Sequence, residues 1–557
     1  MLESITSRFP VKPVADNVWA ISVLTQTGLV RPLRPDKALR IGERAVRWGI
    51  SPALASAAGA IQRPDETAIV DEMGTLTFAD LHRRSNALAR ALQDEGVGEG
   101  DGVAIMCRNH RHFVDATLAC SKLGAVGLYL NTSFAGPQLA EVMKRESPAA
   151  LVYDDEFAEI LDAEDQDTRR YVGWSEGESG DSTIEDLIEA ADDDDLKPPS
   201  ENGRFTILTS GTTGTPKGAQ RESPSGLVPL AALFSKIPHR VGEKIVIAAP
   251  LFHSWGFTHF ILGLPLGASI VLRRKFDPEA TLQAIAEHQA EVLAVVPVMM
   301  QRILQLDDET RARYDVSSLR ITAASGSALP GELATRWMDE FGDNLYNLYG
   351  STEVAWATIA TPDDMRAAPG TAGRVPRGTV VKIVDDDGNE VEQGETGRIF
   401  VGNDMSFEGY TGGEDKERLG DLLSSGDVGH FDDEGRMFVD GRDDEMIVSG
   451  GENVFPREVE DLLSDHDAVD EAAAIGVDDE EFGQRLKAFV VTKSGKDASE
   501  DDLKAYVKKN LANYKVPREI VFLDELPRNS TGKVLKRELE DGSEDGDGET
   551  DADGGDD

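Results

Sequence analysis

Residues 204–219 read RFTILTSGTTGTPKGA. The opening run Arg204-Phe205-Thr206-Ile207-Leu208 has the apolar and β-branched character of a strand. A loop of different chemistry follows. Gly211 and Gly214 let the backbone fold tightly and turn N–H groups toward an anion. Thr209, Ser210, Thr212 and Thr213 add hydroxyl donors, and Lys217 adds a point charge. A strand running into such a loop makes a phosphate cradle. It is not of the Walker type, which needs Gly-Lys followed by Ser or Thr; here Lys217 lies between Pro216 and Gly218.

Strands and helices alternate on both sides of this loop. Thr67–Val70, Val103–Met106, Val126–Leu130, Ile245–Ala249, Ser269–Leu272 and Val292–Val296 read as strands. Between them, Thr77 caps a helix with Phe78, Leu81, Leu88 and Leu92 on one face, and Phe113–Leu123 and Pro278–His288 are helical. Such alternation predicts an α/β fold in which helices cover mostly parallel sheets. Acidic stretches at 162–170 and 181–197 read as a surface excursion before the cradle. From about residue 370 to 440 short strands with tight turns (Val380–Val384, Gly397–Val401, Arg436–Val439) predict a small β subdomain. Helices at Arg457–Leu463 and Asp501–Leu511 and strands at Ala472–Val477 and Lys487–Val491 then predict a separate α+β domain. The expected division is an N-terminal extension 1–60, a large domain 61–441, a small mobile C-terminal domain 442–540 and a disordered acidic tail 541–557.

The chain has 557 residues, 40% of them hydrophobic, enough for several ordinary globular domains. It carries 102 acidic against 57 basic residues, a formal net charge of −45. That field disfavours nucleic acid and anionic surfaces and repels anionic substrates unless a local basic site compensates. Acidity spread over the whole chain predicts adaptation to concentrated salt, where screening relieves self-repulsion. Cys107 and Cys120 sit in apolar stretches and read as buried, reduced thiols of a cytoplasmic protein. Residues 1–10 lack the pattern of a secretion signal. Residues 18–30 (VWAISVLTQTGLV) are too short and too interrupted to cross a bilayer, so core packing is expected there and at most peripheral membrane contact.

Five motifs occur in order: TSGTTGTPKG at 209–218, YNLYGSTE at 346–353, SGD at 425–427, GRDDEMIVSGGENVFPREVE at 441–460 and PRNSTGKVLKREL at 527–539. Together they resemble the adenylate-forming superfamily over about residues 50–540, and SGGENVFPREVE looks most like its fatty or medium-chain acyl-CoA ligases. The resemblance implies that a carboxylate attacks the α-phosphorus of MgATP and that a thiol, that of coenzyme A, then displaces AMP. It implies that the cradle holds the β- and γ-phosphates, with Glu353 and Thr209 as Mg²⁺ ligands among Gly350, Ser351 and Thr352. It further implies Asp427 and Arg442 on the ribose, Tyr349 against adenine, Asn347 and the backbone of Gly326, Ser327 and Ala328 at the adenine edge, and Lys533 as the adenylation lysine. His253 in PLFHSWGF falls beside the acyl pocket, Asp444 at the hinge, and Gly450 and Gly451 along the pantetheine path. An acyl-AMP ligase serving a carrier protein or other acceptor is the alternative, as is an aromatic acid. Acyl length and oligomeric state stay open. The extension 1–60, with arginines at 31, 34, 40, 44 and 47, matches no motif; one reading has it covering the acyl pocket.

Overall fold

A computed structural model describes residues 12–161, 168–177, 180–209, 217–221, 226–405, 407–410, 416–445, 447–449, 452–479, 483–512, 515–529 and 532–539. The expected disordered tail and most of the cradle (210–216) lie outside these residues. Two large sheets dominate. One has eight strands in the order Thr358–Ala360, Leu345–Tyr349, Ile321–Ala324, Val292–Val295, Lys244–Ile247, Ser269–Leu272, Thr67–Asp71 and Gly74–Thr77. The six inner strands are parallel and the two edge strands antiparallel. Strands such as Val292–Val295 and Ile321–Ala324 are buried at every position, as expected of parallel strands covered on both faces.

The second sheet has seven strands: Phe407–Tyr410, Lys217–Arg221, Phe205–Thr209, Val126–Tyr129, Gly102–Met106, Ala150–Asp154 and Arg169–Trp174. Helices Phe78–Asp94 and Arg111–Leu123 pack between the sheets. The first opens with the Thr77–Asp80 capping box, and every residue of the second is buried. The sheets are thus mostly parallel and helix-covered.

The acidic stretches are not a mere surface excursion. Residues Arg169–Trp174 form a sheet strand, and Ile184–Ala190 is a helix packed on Phe78–Asp94. Asp195 reaches inward to His82 Nε2 at 3.0 Å and also pairs with Arg44. The sequence hides this, because the partners of Asp195 lie more than a hundred positions away.

Antiparallel strands Val380–Val384, Gly397–Gly402, Leu422–Phe431, Arg418–Leu419 and Met437–Arg442 build the β subdomain. The C-terminal unit wraps helices Pro456–Ser464 and Glu500–Asn510 around a five-stranded sheet, giving an α+β domain with its own apolar cluster. Before the first sheet strand come three helices, Lys12–Gln26, Pro35–Trp48 and Pro52–Gln62. The expected core packing of residues 18–30 is half met: Ala20, Val23 and Leu24 are buried, while Val18 and Ile21 face outward. No described helix is long and apolar enough to cross a membrane.

Both cysteines are buried and free, and burial pushes the Cys120 thiol up to about 12. The fold brings Cys107 beside His110 and Asp154, but that cluster is closed on itself. His110 Nδ1 accepts the His112 N–H, its Nε2 lies 2.7 Å from Asp154 Oδ1, and Asp154 Oδ2 accepts the Arg108 N–H.

Candidate active site

Parallel strands expose their last backbone groups at one edge, and loops leaving adjacent carboxyl ends converge there. Three neighbouring strands of the eight-stranded sheet do so here. Val292–Val295 leads to Val296, Ile321–Ala324 leads to Gly326-Ser327-Ala328, and Leu345–Tyr349 leads to Gly350-Ser351-Thr352-Glu353. Ser325 Oγ donates to Leu348 O at 2.8 Å and ties two of these ends together. Gly350 is required by contact: a Cβ there would sit 2.2 Å from Ala355 O.

Glu353 is buried, and its carboxylate is held at both oxygens. Ser351 Oγ donates to Oε2 at 2.8 Å and Tyr410 OH donates to Oε1 at 2.7 Å. Burial raises this carboxyl, but the Tyr410 hydroxyl, the Lys416 ammonium and the Ser351 hydroxyl outweigh it, so it titrates below the usual glutamate range. Asn403 Nδ2 donates to Val354 O and Trp356 O at 2.8 and 3.1 Å, fixing the turn behind it.

Tyr410 also links the two large sheets. It ends the strand that pairs with Lys217–Arg221, with Tyr410 opposite Ala219. That strand pairs in turn with Phe205–Thr209, placing Thr209 opposite Lys217. The backbones of Thr209 and Lys217 therefore flank the hairpin end whose connecting residues Ser210, Gly211, Thr212, Thr213 and Gly214 lie outside the described residues. Tyr410, Asn403 and Lys416 were missed in the sequence, because no spacing relates them to position 353.

Tyr349 OH donates to Asp427 Oδ2 at 2.5 Å and lies 3.3 Å from Ser425 Oγ. Asp427 and Arg442 face each other across paired strands, with Oδ1 to Nη1 at 3.5 Å. Burial raises the Asp427 carboxyl, against the Tyr349 hydroxyl and the Arg442, Lys416 and Arg457 cations. Burial together with Asp427 keeps the Tyr349 phenol protonated, hence a donor. Asn347 is buried, and its Oδ1 has no hydrogen-bond partner among the described residues.

The turn that carries Lys533 lies beside this edge. Asn529 and Lys533 close a turn, backbone N–H to O at 3.0 Å, and the Lys533 side chain is exposed. Gly532, at φ +80°, lies so close to the large domain that a Cβ on it would be 2.2 Å from Val298 Cγ1. Val296 borders both Gly532 and Gly326, so the lysine turn sits beside the loop after Ile321–Ala324. Gln305 Nε2 donates to Asp470 Oδ2 at 2.9 Å across the same junction. Two ion pairs bracket the chain between the domains: Arg398 Nε to Asp443 Oδ2 at 2.9 Å, and Lys536 Nζ to Glu445 Oε2 at 2.7 Å, with Glu460 Oε1 at 2.9 Å. Asp444 lies in the intervening turn Asp443–Glu445. Gly450 and Gly451 lie outside the described residues.

His253 precedes helix Ser254–Leu266, onto which Pro52–Gln62 packs. Its Nε2 is enclosed without a partner among the described residues, and burial pulls the imidazole down to about 3, so it is neutral. Trp255 and Phe257 are buried, Trp255 Nε1 donating to Ala323 O at 3.1 Å.

Comparison with known proteins places this geometry in a family. The profile of the AMP-binding enzyme family matches residues 57–411, and that of the AMP-binding enzyme C-terminal domain matches 458–533. The chain is 33% identical over 493 residues to indoleacetate–CoA ligase of Aromatoleum aromaticum, covering 86% of this chain and 95% of that one. It is 28% identical over 468 residues to the long-chain-fatty-acid–CoA ligase FadD13 of Mycobacterium tuberculosis, covering 83% and 92%. Among solved structures, the anthranilate CoA ligase AuaEII in complex with anthranoyl-AMP superposes with TM-score 0.80 at 26% identity, covering 88% of this chain and 97% of that one. The chain belongs to the AMP-binding enzymes, in the acyl-CoA synthetase branch of the adenylate-forming superfamily. It is an AMP-forming acid–thiol ligase that works through an acyl-adenylate.

Proposed function

We propose that this ligase uses ATP and coenzyme A to convert a medium- or long-chain fatty acid to its acyl-CoA, with the residue roles set out below. The observation that carries the roles is the seating of the Lys533 turn against Val296 and Val298, beside the strand ends that lead to Gly326 and Glu353. Two anions, a carboxylate and a triphosphate, must approach each other, so charge neutralisation matters more than proton transfer. Lys533, an exposed ammonium on a turn seated against Val296 and Val298, bridges the incoming carboxylate and the α-phosphate. Asp427 and Arg442 form an acceptor and a donor fork for the ribose hydroxyls. The Tyr349 ring offers a face to adenine, and Asn347 Oδ1, unpartnered among the described residues, accepts from the adenine amino group, beside Gly326, Ser327 and Ala328. The backbone N–H groups and hydroxyls of 209–214, with Lys217, hold the β- and γ-phosphates.

The Glu353 carboxylate fits a magnesium site. It is ionised, each oxygen accepts one hydrogen bond, and each keeps a lone pair for a hard cation. Glu353, with Thr209 at the end of its strand, would hold the ion, which supplies charge neutralisation to the phosphates. Thiolysis needs a different arrangement, reached by rotating the small domain about Asp444 so that Gly450 and Gly451 line the thiol path. The neutral, enclosed His253 suits the wall of an apolar acyl pocket. FadD13 acts on long-chain fatty acids by its name, whereas the two other relatives act on aromatic acids. An aromatic acid is therefore the second reading, and transfer to a carrier protein the third. Turnover of C2–C18 and aromatic acids with ATP and CoA tests this. A maximum among C8–C18 acids with CoA as acceptor supports it. A maximum on aromatic acids, or adenylate without thioester, overturns it.

A further inference from the structure

Lys416 belongs to none of the five motifs, yet the fold carries its ammonium to the site. It precedes strand Arg418–Leu419, which pairs with Leu422–Phe431, the strand that holds Asp427. Beside it, Ser424 N–H donates to Glu417 O at 2.9 Å, and Arg398 grips the Glu417 carboxylate. The lysine is therefore fixed to the β subdomain and not to the small domain that carries Lys533. Its Nζ lies 3.5 Å from Ser425 O. A Cβ on Gly426 would be 3.4 Å from that Nζ and 3.5 and 3.6 Å from the two terminal nitrogens of Arg442. Gly426, at φ +81°, thus presents a bare face on which two cations converge. The Lys416 side chain is half-buried, and its charge acts on both Glu353 and Asp427.

In the roles proposed above, Asp427 takes the ribose and Glu353 is the magnesium ligand at the phosphate end. The α-phosphate is the group bonded between those two ends of ATP. A cation in reach of both Glu353 and Asp427 is in reach of that phosphate. We propose that Lys416 is a second cation for the α-phosphate, held on the large domain through both half-reactions; this role rests on the ATP-binding reading of Glu353 and Asp427. The chemistry calls for a fixed charge there. In the rotation proposed about Asp444, Lys533 leaves with the small domain before thiolysis. Thiolysis forms the acyl C–S bond and breaks the acyl C–O bond, the electron pair leaving with AMP and the thiol proton going to solvent. The α-phosphate therefore ends with one more negative charge than it carried in the adenylate, while Lys533 is away. Lys416 does not move with the small domain and meets that charge. The field of a chain with net charge −45 makes a local cation the more necessary.

The test is calorimetric titration of the full chain with AMP and with adenosine, alongside the two half-reactions measured separately. Lys416→Met should weaken AMP binding roughly tenfold and leave adenosine within about twofold, because only AMP carries the phosphate. Lys416→Arg should regain most of the AMP affinity, since it restores a cation. In Lys416→Met both adenylation and thiolysis of supplied acyl-AMP should slow roughly tenfold, in contrast to Lys533→Ala, which should spare thiolysis. Equal loss of AMP and adenosine affinity would overturn the proposal by making Lys416 a prop for Asp427. Undiminished AMP affinity, or a loss confined to adenylation, would also overturn it and leave the ATP-binding reading intact. An unmodified chain that binds neither ligand would instead overturn that reading, and this role with it.

Discussion

The strand-end site and the Pro35–Trp48 helix handle polar and apolar groups in opposite ways. At the site, buried carboxylates are hydrogen-bonded: Glu353 accepts from Ser351 and Tyr410, and Asp427 from Tyr349 beside Arg442. On the helix, Lys37 and Arg44 turn inward while Leu39 and Val46 stay exposed beside Asp36, Arg40 and Glu43. A hydrogen-bonded polar cluster fixes geometry for chemistry. Exposed apolar side chains fix none. The two should therefore fail independently.

The largest effect is expected from Lys533→Ala. Adenylation should fall about 100-fold or more, while thioester formation from supplied acyl-AMP stays largely intact, because a transition-state charge contact of a few kcal/mol is lost. Equal loss in both half-reactions, measured separately, would remove Lys533 from its role. Asp444→Pro fixes φ at the turn between the domains. Adenylation should survive and CoA transfer drop by about 100-fold; full overall turnover would argue against rotation.

Gly532→Ala should be milder and reversed in sense. A Cβ 2.2 Å from Val298, on a residue at φ +80°, opposes seating of the lysine turn. Adenylation should slow roughly tenfold with thiolysis spared. Unchanged adenylation would mean that the seating seen here is not the one used.

Tyr410→Phe should move pH dependence rather than the maximum. The Glu353 pKa is lowered in the fold, so its carboxylate form is present above that value and lost as pH falls through it. Removing the Tyr410 hydroxyl, worth about 1 kcal/mol, should shift the acid limb of adenylation upward by up to about 0.7 pH units. An unmoved acid limb would detach Glu353 from that limb.

The smallest effect is expected from salt. Raising KCl from about 0.1 to about 1 M shortens the Debye length from about 10 to about 3 Å. Melting temperature should rise by a few degrees as the acidic body stops repelling itself. A flat or falling melting temperature would refute the salt adaptation expected from composition.

The site was legible where it rests on local motifs and illegible where it rests on pairing. Tyr349, Glu353, Asp427 and Arg442 each sit in a quotable stretch, and the fold brings them to one edge. Tyr410 reaches Glu353 only because its strand adds to the cradle hairpin, a registry the sequence does not record. Strand positions inside the sheets followed from apolar runs, and helix Pro278–His288 was read to the residue. Helix Pro35–Trp48 shows the limit. Which of its faces turns inward rests on Gln62 and Asp195, 25 and 151 positions from their partners Lys37 and Arg44.

The ion pairs on either side of Asp444 have a mechanical consequence. Arg398 anchors Asp443 to the β subdomain, and Lys536 anchors Glu445 to the small domain through a cation shared with Glu460. Each body thus grips the chain up to the residue next to Asp444, and the axle between them is about one residue long. In the rotation proposed about Asp444, a short axle would give the small domain a narrow set of swing directions, much as a door pin does, and make its positions reproducible without any stop at either end. Because both grips are electrostatic, the axle should lengthen as ionic strength rises, and the swing should become less defined in concentrated salt than in dilute buffer.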